Sequence, residues 1–304
     1  MRYIKEFYRF LKHLKNSRKL IFVLAYNDFK EQYLGSYLGI LWAVLKPALF
    51  IGVIWFVFTF GFKAKPTDDN IPFALWLLCG MIPWFFFAES VNKGMSAIVS
   101  SAYLVKKVAF RVSILPLVKV ISSLGIHLVL VGLLIIVFLL SGFMPTLYWL
   151  QIPYYILCVV ILALGLGWLT SSLRVFIKDI GEIIGVVIQF GFWLTPIFWS
   201  FKLIPEQYHY LVKLNPMVYV VEGFRDSFIN QIWFWEKSFD TIQFLTITTI
   251  FLILGSIVFL HLSHFPTLCV KFSTFTKAPN SSSFSSESFI NIIYSSAELF
   301  FIYL

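Results

Sequence analysis

Leu115–Leu140 reads LPLVKVISSLGIHLVLVGLLIIVFLL, a run whose one formal charge, Lys119, lies near its start. A helix needs about 20 apolar residues to cross a bilayer core about 30 Å thick, so this stretch reads as a transmembrane helix. Working outward, five more runs of that kind appear. Gly39–Phe62 carries only Lys46 and Ile71–Val91 only Glu89, while Leu147–Leu173, Ile183–Phe201 and Thr241–Leu260 carry no charge. The expected fold is therefore an all-α integral membrane protein with six transmembrane helices. Composition agrees: 59% of the 304 residues are hydrophobic and 13% are charged, and the mean hydropathy is +0.85. A soluble chain is about a quarter charged, which excludes a soluble enzyme.

The formal net charge of +9 flanks apolar runs instead of gathering on a soluble face, so it carries topology and no nucleic-acid partner is expected. Lys and Arg are retained on the cytoplasmic side. The N-terminal segment holds Arg2, Lys5, Arg9, Lys12, Lys15, Arg18, Lys19 and Lys30 against Glu6, Asp28 and Glu31. The gap after the second run holds Lys106, Lys107 and Arg111 without an acid, and the gap after the fourth holds Arg174 and Lys178. The gap after the first run balances Lys63 and Lys65 with Asp68 and Asp69. Both termini are therefore expected in the cytoplasm, and no cleavable signal peptide is expected. Trp76, Trp84, Tyr148, Trp149, Trp233 and Trp235 lie near run ends and read as interfacial anchors.

Three segments depart from a plain bundle. In Ser17–Leu34, Leu20, Ile21, Leu24, Phe29 and Tyr33 recur at helical spacing among charges, which predicts an amphipathic helix in the cytoplasmic interface, a solvated basic arm being the alternative. Ser100–Leu115 is a short basic stretch ended by Pro116; its Tyr103, Val108 and Phe110 fit a cytoplasmic docking helix or, equally, a plain positive-inside loop. Lys202–Asp240 is too apolar for a loop and is interrupted by Pro205, Asn215-Pro216 and Gly223. It fits two short re-entrant helices lining protein or a cavity, or a small external cap.

Motifs for chemistry are sparse. No GxxxxGK[ST] phosphate loop is present, so ATP use belongs to another subunit. No cofactor, metal or catalytic residue is expected; Cys79, Cys158 and Cys269 form no ligand spacing. Glu89 and Lys93 at i, i+4 predict a local ion pair, and His127 reads as a packed core histidine. Lys46 sits inside the first span, where a lysine costs about 2.5–3.5 kcal/mol; facing a pore is favoured over snorkelling. The 35 Phe, 14 Tyr and 10 Trp are mostly lipid-facing or interfacial, with Phe138 read as lipid-facing. The first and fifth runs hold more rings than lipid contact requires, and flat rings let sugar faces slide. Tyr37, Trp42, Lys46, Trp193 and Trp199 are the candidate translocation path.

Leu34-Gly35-Ser36-Tyr37-Leu38-Gly39-Ile40-Leu41-Trp42-Ala43 with Lys46-Pro47, then Gly80-Met81-Ile82-Pro83-Trp84, Lys178-Asp179-Ile180, Thr195-Pro196-Ile197-Phe198 and Asn215-Pro216 with Arg225 form an ordered set. In these pieces, spread over roughly residues 18–262, the chain resembles the ABC-2 type permeases that export bacterial polysaccharides such as O-antigen, capsule and teichoic acid. The resemblance implies a homodimer in the cytoplasmic (inner) membrane, joined to two copies of a separate ABC ATPase subunit, with a glycan passing between the permease copies. It implies ATPase coupling through Tyr103, Lys106, Lys107, Phe110 and Arg111, and an outer gate built from the re-entrant helices. An exporter of small lipophiles and a membrane-embedded transferase are the alternatives. The domain reading is a cytoplasmic segment with the interface helix at 1–38, the transmembrane domain at 39–262, and a tail at 263–304 with ten serines and seven phenylalanines from His261 onward, expected to be disordered and without a transport role.

The charge asymmetry predicts that cysteines placed at Lys106 or Lys107 react with an impermeant thiol reagent only from the cytoplasm, and cysteines at Asp69 or Glu206 only from outside. Cytoplasmic-only labelling at Asp69 refutes this topology.

Overall fold

The computed structural model describes residues 17–32, 37–63, 71–101 and 112–263. Its described elements are helical, in the order α1 (Arg18–Glu31), α2 (Leu41–Phe56, continued by a π turn at Val57–Gly61), α3 (Phe73–Ser100), α4 (Ile114–Leu140), α5 (Ile152–Phe176, entered through a 3-10 turn at Leu147–Gln151), α6 (Ile180–Leu194), α7 (His209–Lys213), α8 (Pro216–Arg225, continued by a π turn at Asp226–Asn230) and α9 (Ser238–Ser263). Five of these segments are long and apolar enough to cross a membrane: Leu41–Gly61, Phe73–Ser100, Ile114–Leu140, Leu147–Phe176 and Ser238–Phe259. They match the first four expected runs and the sixth, and they make this a multi-pass membrane protein.

The fifth run behaves differently. Its helix stops at Leu194 after 15 residues, although the apolar composition continues to Phe201. Pro196 is the cause: a proline pushes the residue before it out of the helical region, and Thr195 is extended at φ −81°, ψ 137°. The Lys202–Asp240 stretch contains the two expected short helices, α7 and α8. Asn215-Pro216 starts α8, with the Asn215 Oδ1 accepting from the Met217 N–H at 3.0 Å and proline at the first helical position. Gly223, expected to interrupt the stretch, lies inside α8 instead.

The centre of the molecule is α3, packed along α5 and α4 and touched by α8. Its residues Leu77, Cys79, Met81 and Phe86 are buried with Leu134, Leu162 and Phe224 from the surrounding helices. Helix crossings use small residues, as in other membrane bundles where there is no water-driven collapse. A Cβ on Gly94 would stand 3.3 Å from the Cα of Gly167, and one on Gly255 only 2.5 Å from the Gly165 carbonyl oxygen. Two residues expected at lipid or interface are in this core. Phe138 is wholly buried against Phe143, Trp149 and Phe228, and Trp84 is buried between Phe87 and Phe192. Hydropathy finds the span but not its inward face.

His127 is buried in a ring stack, 4.4 Å from Phe86 and nearly parallel to it, as the packed-core reading expects. The Glu89–Lys93 ion pair is formed and belongs to a longer chain: Lys93 donates to Gln32 Oε1 at 2.7 Å, and Gln32 Nε2 donates to Asp28 and to Ser122 Oγ at 3.1 and 3.2 Å. Lys119 closes the chain on Asp28. Helix α1 is thereby tied to α3 and α4, and its Ile21 and Ala25 are buried beside Ile114 and Val118. Lys119, the lone charge of the opening stretch, is thus neutralised by the helix that precedes the spans.

Candidate translocation face and its anchor

Where α6 ends, the backbone loses its helical partners in apolar surroundings, and each freed carbonyl needs another donor. The Gly191 carbonyl accepts from the Thr195 N–H at 2.9 Å and from its hydroxyl at 2.6 Å. The Trp193 carbonyl accepts from Trp199 Nε1 at 3.1 Å, and the Thr195 carbonyl from the Ile197 N–H at 2.7 Å. Two further carbonyls, those of Pro196 and Ile197, accept from Arg225 Nη1 and Nη2 at 2.6 and 2.8 Å.

Arg225 is 2% exposed. Its guanidinium also donates to Glu222 Oε1 at 2.7 Å and lies 3.5 Å from the centre of the Trp76 ring. A planar fork that bridges two carbonyls, meets a carboxylate and stacks on an indole is the work of arginine and beyond a lysine's point charge. Gly80 makes the room, because a Cβ there would stand 3.1 Å from Nη2 and 3.3 Å from the Ile197 Cα. At the other end of α8, Asn215 Nδ2 donates to Thr195 Oγ1 at 2.8 Å. The motif pieces Gly80–Trp84, Thr195–Phe198 and Asn215-Pro216 with Arg225 are therefore one anchor: α8 braces the break after α6 from both of its ends. Trp76, read from sequence as an interfacial ring, is the floor under that guanidinium.

Helix α6 has three distinct faces at helical spacing. Ile184, Ile188 and Phe192 pack on the core. Ile183, Val186, Val187, Phe190 and Leu194 are exposed and apolar. Between them runs a narrow exposed stripe of Glu182, Gly185, Gln189 and Trp193. An amide exposed within an apolar helix is costly in lipid and belongs beside protein or water. Gln189 was not a sequence candidate; the signal was its i, i+4 spacing to Gly185 and Trp193. Helix α2 contributes no buried residue and α6 only Phe192, so α2 and α6 are the exposed side of a subunit whose other long helices are partly or mostly buried.

The candidate path residues fall into separate groups on or next to these two helices. Lys46 Nζ lies 5.7 Å from the Trp42 ring centre, with the lysine exposed and the indole half-buried. Tyr37 is fully exposed in the turn before α2. Trp193, 52% exposed, and Trp199 are joined by the indole-to-carbonyl bond described above. The two groups do not meet; Lys46 and Phe58 are roughly 18 Å apart along the helix at 1.5 Å per residue. Other rings join the two helices. Phe50 on α2 reaches Phe85 and Phe192 at 5.9 and 6.1 Å, and Phe198 touches Phe58, Phe192 and Trp193 at 5.2, 5.5 and 4.9 Å. The expected coupling residues Tyr103, Lys106, Lys107, Phe110 and Arg111 lie outside the described residues, as does the tail beyond Ser263.

A family model described as ABC-2 type transporter matches residues 19–229. The chain is 30% identical over 213 residues to an O-antigen export system permease protein RfbA of Klebsiella pneumoniae, an alignment covering 69% of this chain and 80% of that protein. A protein of the same name from Myxococcus xanthus is 28% identical over 223 residues, covering 72% and 84%. The polysialic acid transport protein KpsM of Escherichia coli is 23% identical over 219 residues, covering 71% and 83%. The matched region contains the complete Thr195–Asn215–Arg225 anchor.

The anchor depends on α8 lying tight against α5. A Cβ on Gly223 would fall 2.1 Å from a ring carbon of Tyr155, so the methyl of Gly223→Ala must displace α8 or the ring. Overpacking of this kind costs about 1–3 kcal/mol, and a lower melting temperature for purified Gly223→Ala is expected. Gly52→Ala, whose Cβ meets nothing within 4 Å, is the control; equal melting of the two variants contradicts the packing.

Proposed function

The chain belongs to the ABC-2 type transporter family, and from that premise we propose that it is the permease subunit of an ATP-driven exporter carrying a polysaccharide or lipid-linked glycan across the cytoplasmic membrane. The similar proteins named above carry O-antigen and polysialic acid in their names. The observation that carries the reading further is the exposed stripe of Glu182, Gly185, Gln189 and Trp193 on α6, a helix that meets the ring-rich α2 through Phe192 and Phe50. Two copies of the chain set these faces opposite one another, and a hydrated polymer passes between them. Rings serve such a passage because a sugar's C–H face exchanges between neighbouring rings at small cost, whereas a line of fixed hydrogen bonds traps each unit. Glu182 and Gln189 supply the polar contacts that a carbohydrate needs and a lipophile does not.

The remaining parts take these roles. Helix α6 and the segment after it together make the fifth of six crossings: 15 residues of helix rise roughly 22 Å, and the non-helical residues that follow, up to Ser200, cover the rest of an apolar core about 30 Å thick. Helix α1 lies in the cytoplasmic interface, both termini are cytoplasmic, and α7 with α8 dips back from the outer side as a gate. Work enters from two copies of a separate ABC ATPase subunit, docked on the segment between α3 and α4 that holds Tyr103, Lys106, Lys107, Phe110 and Arg111. In a two-fold assembly every path residue is presented twice, so one substitution alters both walls.

Removing one ring contact is worth about 0.5–1.5 kcal/mol, so Trp42→Ala or Trp193→Ala is expected to slow export severalfold at equal protein level and equal assembly. The reference is Ile136→Ala, at a residue 50% exposed on α4, away from the proposed passage. Normal export by permeases in which Tyr37, Trp42, Trp193 and Trp199 are all replaced, in correctly assembled transporters, rules the passage out.

A further inference from the structure

The fifth segment does more than end early. The turn that Arg225 grips continues directly into Phe198, which is 8% exposed. The Phe198 ring sits between the two exposed helices, 5.2 Å from Phe58 on the π turn of α2 and 4.9 Å from Trp193 on α6. It is carried by non-helical backbone, so its position is not set by a helical ladder. Three side-chain bonds set it: Asn215 to Thr195, and Arg225 to the carbonyls of Pro196 and Ile197.

We propose that Phe198 is the ring that closes the passage at the end where α8 lies, and that Arg225 is the positioning residue that latches it shut. The proposal rests on the reading of α2 and α6 as the passage and adds the residue that seals it. A latch must be strong enough to hold a seal and small enough to release, and a buried guanidinium meets both needs. Its charge-assisted bonds are stronger than neutral ones, yet they are few. Of its partners, only Glu222 carries a formal charge, and that carboxylate is 26% exposed. When α8 shifts, Glu222 moves with Arg225 on the same helix, whereas the two carbonyls stay with the turn. The bonds to Pro196 and Ile197 are therefore the ones that break, and the charge keeps its carboxylate partner throughout. Trp76, on α3, gives the guanidinium a flat surface to slide over without loss of contact.

The test is leakage. Potassium efflux is measured from proteoliposomes holding the permease assembled with its ATPase subunit, without nucleotide. Arg225→Lys keeps the charge but cannot hold both carbonyls and stack. Losing one charge-assisted bond shifts a two-state equilibrium by roughly ten- to a hundredfold, so leak is expected to rise by that factor. Phe198→Ala is expected to leak as well, and the double variant no more than Phe198→Ala alone, because the latch acts through the ring. Where Arg225→Lys does not assemble, Gly80→Ala substitutes for it: its methyl crowds Nη2 at 3.1 Å and leaves Arg225 in the sequence. Leak from Phe198→Ala with a tight Arg225→Lys, or a tight assembled Gly80→Ala, overturns the latch and leaves the passage standing. Tight seals in assembled Phe198→Ala overturn the passage reading at this end together with the latch, and additive leaks in the double variant overturn the claim that the two act as one device.

Discussion

Two backbone carbonyls, those of Pro196 and Ile197, set the terms for half of this molecule. Pro196 ends α6 after 15 residues, and the chain beyond it has no ladder of its own in surroundings that supply no water. A single arginine answers the problem by bonding both carbonyls. The arginine then imposes its own requirements. It needs a carboxylate, which Glu222 provides one turn earlier on the same helix. It needs a flat apolar surface, which is Trp76, and space, which is Gly80. Its helix must lie close to α5, which Gly223 permits under Tyr155. Motifs far apart in sequence are thus the parts of one contact.

That contact also explains why the subunit is lopsided. Helix α3 carries Trp76 and Gly80 and is the most enclosed of the long helices, with α4, α5 and α8 around it. Helices α2 and α6 are left with broad exposed faces. The anchor holds the end of α6 without covering its polar stripe, so the helix is fixed in place while Gln189 and Trp193 remain available. The arrangement combines an enclosed scaffold with an exposed wall, the one proposed to face the passage.

Much of the architecture was legible in the sequence because its signals are local. Apolar length marked six runs, five of which are spans by length and composition, Asn215-Pro216 marked the break after which α8 starts, and the i, i+4 spacing of Glu89 and Lys93 marked their ion pair. What stayed hidden depends on partners distant in sequence. Gly223 read as a breaker, since nothing nearby reveals the Tyr155 ring that occupies its missing Cβ position. Phe138 and Trp84 read as lipid or interface residues because hydropathy does not distinguish the inward face of a span from the outward one. Arg225 belonged to a recognisable motif, yet its grip on Pro196 and Ile197 crosses 29 and 28 residues of chain. Gln189 carries no charge, so its i, i+4 spacing to Gly185 and Trp193 gains meaning only from the exposure of that stripe.

In the proposed transporter the stripe of α6 faces an aqueous passage and its neighbouring apolar arc faces lipid. Single cysteines placed along Ile183–Leu194 in the assembled transporter, each timed for reaction with a charged, water-soluble thiol reagent, test it most directly. Fast reaction is expected at Gly185, Gln189 and Trp193 and slow reaction at Ile183, Val187, Phe190 and Leu194, a pattern with helical period. Equal inertness all along α6, or fast reaction on the apolar arc alone, would contradict it.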